Sequence, residues 1–106
     1  MSLLDVVQTN LEHFHFWTHV NILDDFVIQG YPKESLTKNT AQDTLEFVYP
    51  AHISQNLSLS DIEGIFNRID RLLGVRPKRI VIGVVTDDGS VVYYFAHEGL
   101  IKPSKV

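Results

Sequence analysis

Between Arg79 and His97 the chain reads RIVIGVVTDDGSVVYYFAH, two β-branched and aromatic runs on either side of Asp88-Gly89. An Asp-Gly between short apolar runs is a strong local signal for an antiparallel hairpin. The runs do not alternate as those of a surface hairpin do, where one face meets the core and the other meets water. Ile80, Val81, Ile82, Val84 and Val85 are apolar on both faces, as are Val91, Val92, Tyr93, Tyr94 and Phe95. Both sides of the ribbon must therefore be covered. One helix can cover one face, but little sequence follows the second run, so a partner protein is expected to complete the other.

At 106 residues the chain is expected to form a single domain, 1–106, with one modest core. Apolar residues make up 44%, an ordinary share for a soluble globular chain. No run reaches the roughly 18 apolar residues of a membrane span, so no membrane insertion is expected. The start, MSLLDVVQTN, lacks the basic flank and unbroken apolar stretch of a signal peptide, and an intracellular location is expected. The absence of cysteine removes disulfides and thiolate metal sites. A formal charge of −4 argues against autonomous nucleic-acid binding, which needs a net basic surface. The basic residues Arg68, Arg71, Arg76, Lys78 and Arg79 nevertheless cluster, and read as a solvated helix end suited to the macrodipole.

Ser2 with Asp5 three residues on makes a helix start. Leu4, Val7, Leu11, Phe14 and Trp17 then recur at helical spacing and predict a first helix from about Leu3 to Val20. On such a helix His13 and His15 point roughly 200° apart and cannot share a metal, so the histidines of HFHFWTHV read as surface or interface residues. Phe26, Val27 and Ile28, followed by Gly30 and Pro32, predict a short strand; Lys33 to Asp43, poor in apolar residues, predicts a loop. In TLEFVYPA, Leu45, Phe47 and Tyr49 alternate with Glu46 and Val48 as in a half-buried strand that Pro50 ends or places at an edge.

Ser58 or Ser60, with Asp61 or Glu63 as the returning acid, opens a second helix. Its stripe of Ile62, Ile65, Phe66, Ile69, Leu72 and Leu73 is expected to pack in the core, and Gly74 with Pro77 ends it. The result is an α+β fold: two helices on a short mixed or antiparallel sheet of about four strands, closing with a C-terminal hairpin. No P-loop, GxGxxG, GxSxG or HExxH motif is present, so neither a cofactor nor a metal is implied. His52, past a strand end in PAHIS, is where a general base could stand, but no orienting carboxylate or nucleophile lies beside it in the sequence.

The closing string RIVIGVVTDDGSVVYYFAHEGLIKP resembles the last segment of the tRNA-intron endonuclease family, where two strands meet at an acidic Asp-Asp-Gly turn. NLEHFHFWTHVNIL, LEFVYPAHIS and LSLSDI extend the similarity to the small non-catalytic subunits of the eukaryotic tRNA-splicing endonuclease, fungal ones in particular. The resemblance implies a structural subunit, itself not an enzyme, in a heterotetramer with two catalytic and two structural subunits that excises introns from precursor tRNA. In that family the catalytic subunits use a tyrosine, a histidine and a lysine and leave a 2′,3′-cyclic phosphate without metal. His52 lacks the surrounding motif, no tyrosine matches, and Lys78 stands in poor context for the lysine, so no catalytic residue is carried over.

The resemblance further implies that the last strand, here Val91, Val92, Tyr93, Tyr94 and Phe95, pairs with its counterpart on a catalytic partner, and that Asp87 and Asp88 dock into a basic groove of the opposite dimer. Precursor tRNA would be met through the complex. The isolated chain could self-pair as a homodimer through the same strand. The implied location is the nucleus, or the cytosolic face of the mitochondrial outer membrane as in some fungal members. Two other readings stay open: a small metal-independent ribonuclease using His52, and a free-standing RNA-binding module using Arg68 to Arg79.

Overall fold

The computed structural model describes residues 2–34, 44–97 and 100–103. In chain order the elements are α1 (Leu3–His13), β1 (Thr18–Leu23), β2 (Val27–Tyr31), β3 (Glu46–His52), α2 (Leu59–Leu73), β4 (Arg79–Val85), β5 (Val91–His97) and β6 (Leu100–Pro103). The strands form one mixed sheet in sequential order, β1-β2-β3-β4-β5-β6, antiparallel throughout except where β3 runs parallel to β4. That parallel pair needs a crossover, and α2 supplies it. The fold is α+β as the sequence predicts, with the hairpin β4–β5 next to a sheet edge.

Successive side chains of a strand point to opposite faces, and each face meets a different helix. Ile62, Ile65, Phe66 and Ile69 of α2 pack with Val27, Phe47, Ala51, Ile80, Ile82 and Ala96. Val7 and Leu11 of α1, with Trp17, pack with Ile28, Val48, Val81, Val85, Tyr93 and Phe95 on the other side. The two-faced apolar ribbon is thus covered largely by the chain itself. The cover expected from a partner comes instead from the N-terminal helix, laid across the second face by the return strands β1 and β2. Its approach is close at Gly83, where an added Cβ would come within 3.2 Å of both Val7 Cγ1 and Tyr93 Cε1.

α1 stops at His13, well short of Val20, so His15 and His19 are not on a helix at all. Phe14 N–H and His15 N–H both reach the Asn10 carbonyl, and Phe16 takes a left-handed φ of 59°. That turn swings Trp17 back under the helix, where its N–H donates to the Leu11 carbonyl at 3.0 Å. Trp17 is buried, while Phe14, expected on the apolar face, is 70% exposed. Helical spacing placed one of these aromatics correctly for the wrong reason.

β1 and β2 join through Asp24 and Asp25, both left-handed at φ 52° and 49°, with Phe26 N–H closing onto the Leu23 carbonyl. Two consecutive positive φ values make a tight turn within the three-residue connection Asp24-Asp25-Phe26, and the second position is one that glycine fills without strain. Asp25→Gly is therefore expected to raise stability by about 1 kcal/mol. A urea midpoint that is unchanged or lower would contradict this assignment. Asp24 should be left alone, because its carboxylate accepts from Arg68 Nη2 at 3.0 Å.

α2 begins with the earlier of the two candidate caps: Ser58 Oγ accepts from Asp61 N–H while Asp61 accepts from Ser58 N–H. Gly74 ends the helix at φ 73°. Leu72 and Leu73 overhang the sheet and are half exposed, unlike the four apolar residues before them. β3 is buried on both faces and not half-buried, since α2 covers Phe47 and Ala51 on one side and α1 covers Val48 on the other. Pro50 is tolerated there because β2 starts at Val27 and its pairing stops at Val48, so no neighbour on that side asks for the missing N–H. The predicted 33–43 loop falls mostly on 35–43, outside the described residues.

Candidate partner-docking surface

The turn at the hairpin tip is a three-residue loop, Asp87-Asp88-Gly89. Gly89 N–H reaches the Thr86 carbonyl at 3.1 Å, Thr86 N–H reaches the Ser90 carbonyl at 2.9 Å, and Gly89 takes φ 88°. Asp88 turns inward: its carboxylate accepts from the Thr86 hydroxyl and from Ser90 N–H. Those bonds, the Thr86 one foremost, hold its carboxyl below the usual carboxylate range. Asp87 points outward, its side chain 89% exposed. Both carboxylates stand at the hairpin tip, Asp88 bonded into the turn and Asp87 facing outward.

Asp87 is anchored from below by His52. Ser54 N–H donates to His52 Nδ1 at 3.1 Å, and the Ser54 hydroxyl lies 2.7 Å from the same nitrogen. A backbone N–H can only donate, so Nδ1 is the acceptor of the neutral ring and Nε2–H faces Asp87 Oδ1 at 3.1 Å. This is the orienting carboxylate that the sequence could not reveal, because it comes from a turn 35 positions away. It commits the ring: one nitrogen is occupied by Ser54 and the other is protonated against Asp87. Serine, histidine and aspartate here tie the end of β3 to the hairpin tip, and the serine and aspartate are both exposed.

Beside this pair lies a groove of about 200 Å³, lined by Ala51, His52, Gln55, Leu57, Ile82, Val84 and Tyr94. It opens where the strands outrun the start of α2, so that helix leaves the end of its sheet face bare. Val92, paired with Val84 across the hairpin, is 43% exposed at the same end. Ile53, whose N–H donates to the Val85 carbonyl, is exposed next to it. Carboxylates therefore stand above an apolar floor.

The five strand residues singled out by sequence fall on different surfaces. Val91, Tyr93 and Phe95 face α1 and belong to the chain's own core. Tyr93 is 5% exposed and its hydroxyl donates to Asn10 Oδ1 at 2.6 Å. Val92 and Tyr94 face the opposite way, toward the groove. β5 is not the last strand either: β6 pairs with it from Tyr94 to His97, leaving the outer edge of Val91 to Tyr93 without a neighbour among the described residues.

Burial holds the Tyr93 phenol above its ordinary value of 10.0. The unfolded chain then loses that proton first as pH rises, so the stability tied to Tyr93 is complete below pH 10 and declines above it. Tyr93→Phe should make alkaline unfolding above that point less steep, and a denaturation profile identical to that of the unsubstituted chain would contradict the internal role.

The arginine cluster is largely spent within the fold. Arg68 pairs with Asp24 and lies over the Phe26 ring at 4.1 Å; Arg76 pairs with Glu63 and Asn67. Arg79 grips Glu46 through two hydrogen bonds, Nε at 3.3 Å and Nη2 at 2.7 Å, in the interior. Arg71 and Lys78 are exposed.

A family model described as Sen15 protein matches residues 6–106. Over 107 residues the chain is 30% identical to a protein of Eremothecium gossypii named tRNA-splicing endonuclease subunit SEN15, across 98% of this chain and 91% of that one. Over 144 residues it is also 30% identical to a Neurospora crassa protein named probable tRNA-splicing endonuclease subunit tsp-1, across 96% of this chain but only 65% of the other, which is the longer protein. The four blocks that carry the resemblance in the sequence lie within the matched range. The chain belongs to the Sen15 protein family.

Proposed function

We propose that this chain is a non-catalytic structural subunit of the tRNA-splicing endonuclease, joined to a catalytic subunit at the β5 end of its sheet. The reading rests most directly on the bare end of the α2 face, where Val92 is exposed and Tyr94 half-buried beside the groove, near Asp87 and Asp88. The names of the Eremothecium and Neurospora relatives support the coarser part of the reading, a subunit of the tRNA-splicing endonuclease. Fixed carboxylates orient a partner and select it, and apolar side chains beside them supply the burial. The heterotetramer of two catalytic and two structural subunits, and a nuclear or mitochondrial-surface location, belong to this proposal.

A ribonuclease built on His52 gains an orienting Asp87 from the fold, but the ring has no free acceptor with which to take a 2′-hydroxyl proton. Incubation with precursor tRNA separates the readings. The isolated chain should release no intron, and the complex with a catalytic subunit should release it. Cleavage by the isolated chain that disappears on His52→Ala would establish the enzyme instead.

A further inference from the structure

The groove beside the acidic turn is the open margin of the α2-side core, with Ala51 and Ile82 at its base, and what would fill it can be deduced from its chemistry. Its floor is Ala51, Leu57, Ile82, Val84 and the ring of Tyr94. At about 200 Å³ it holds one branched or aromatic side chain; an apolar cavity of some 150 Å³ already takes a benzene ring. Its rim carries His52 and, through it, Asp87, with Asp88 one residue further along the turn. We propose that the groove receives a single large apolar side chain from an extended basic segment of the catalytic subunit, flanked by lysine or arginine residues that meet Asp87 and Asp88.

This deepens the reading above and rests on it. The acidic turn alone would be a flat, salt-sensitive contact; an apolar anchor buried beside it excludes water from the charges and adds depth to the contact. Charge decides between possible occupants. One basic segment with exposed apolar residues among the described residues, Arg71 to Lys78 with Leu72, Leu73 and Val75, has its central Arg76 turned back onto Glu63 and Asn67. A second copy would also bring a net charge of −4 toward an acidic rim. A basic foreign segment suits the rim better.

The test uses the complex with the catalytic subunit and its dissociation constant. Val84→Phe fills the groove from its floor, and Leu57→Trp fills it from the loop wall if the first variant does not fold. Asp87→Lys inverts the rim. A folded filling variant and Asp87→Lys should each weaken the complex about tenfold or more. Added salt should weaken the complex of the unsubstituted chain more than that of Asp87→Lys. A filling variant that melts and binds like the unsubstituted chain overturns the groove proposal, and leaves the acidic turn as the docking element if Asp87→Lys still weakens binding. No complex with the unsubstituted chain overturns both. Isolated chain that self-associates, and stops doing so on filling the groove, makes a second copy the occupant and overturns the proposal of a catalytic-subunit segment.

Discussion

Glu46→Ala is expected to lower the unfolding free energy by about 3–5 kcal/mol, the range for breaking one side of a buried ion pair. Glu46 is 3% exposed in a strand that is otherwise apolar on both faces, and Arg79 answers it from the start of the neighbouring parallel strand with a two-point grip. The Arg79 guanidinium also lies 4.6 Å from the centre of the Phe95 ring, so one side chain links β3, β4 and β5. Removing the carboxylate takes its two-point partner from the part-buried Arg79, and Arg79→Met takes that guanidinium from the buried carboxylate. The two losses should not add. Glu46→Leu with Arg79→Met, apolar on both sides, should recover most of the stability. Urea unfolding of the two single variants and the double variant measures this. Single variants within 1 kcal/mol of the unsubstituted chain would show the pair to be solvated, contrary to the geometry.

Val92→Asp should leave the chain folded and abolish the complex with the catalytic subunit. The side chain already meets water, so a carboxylate there costs the monomer little. In the complex it would be a third acidic group beside Asp87 and Asp88, buried in the contact. Central apolar positions of interfaces cost about 2 kcal/mol or more on truncation, and an unpaired buried charge costs more, so a loss of affinity beyond roughly a hundredfold is expected. Tyr93→Asp is the contrasting control: it faces α1, and its effect should appear as unfolding of the chain itself. Circular dichroism together with co-purification separates the two. A Val92→Asp chain that still co-purifies in full would remove this end of the sheet from the interface.

Local features were legible in the sequence. The hairpin, the Ser58 cap, the Gly74 stop and the α2 stripe as far as Ile69 each depend on residues a few positions apart, and each forms where expected. β1 was not legible because THVNIL continues a helical spacing from α1, and the break is made by left-handed Phe16 and His19, neither of them a glycine. The cover of the second sheet face is not legible downstream of the hairpin, because α1 arrives from the other end of the chain. Two pairings at the centre of the account, His52 with Asp87 and Glu46 with Arg79, span 35 and 33 positions. For the second a hint existed: a lone acid inside an apolar strand and a lone base opening another. For the groove none did, since it follows from where α2 begins relative to the ends of β4 and β5.

Native mass spectrometry of the assembly purified through this chain, after co-expression with the catalytic subunit, decides whether the chain is a docking subunit. A stable complex containing both chains in equal number is expected with the unsubstituted chain, and none with Val92→Asp. A monodisperse monomer of this chain, with the catalytic subunit recovered separately, would contradict it.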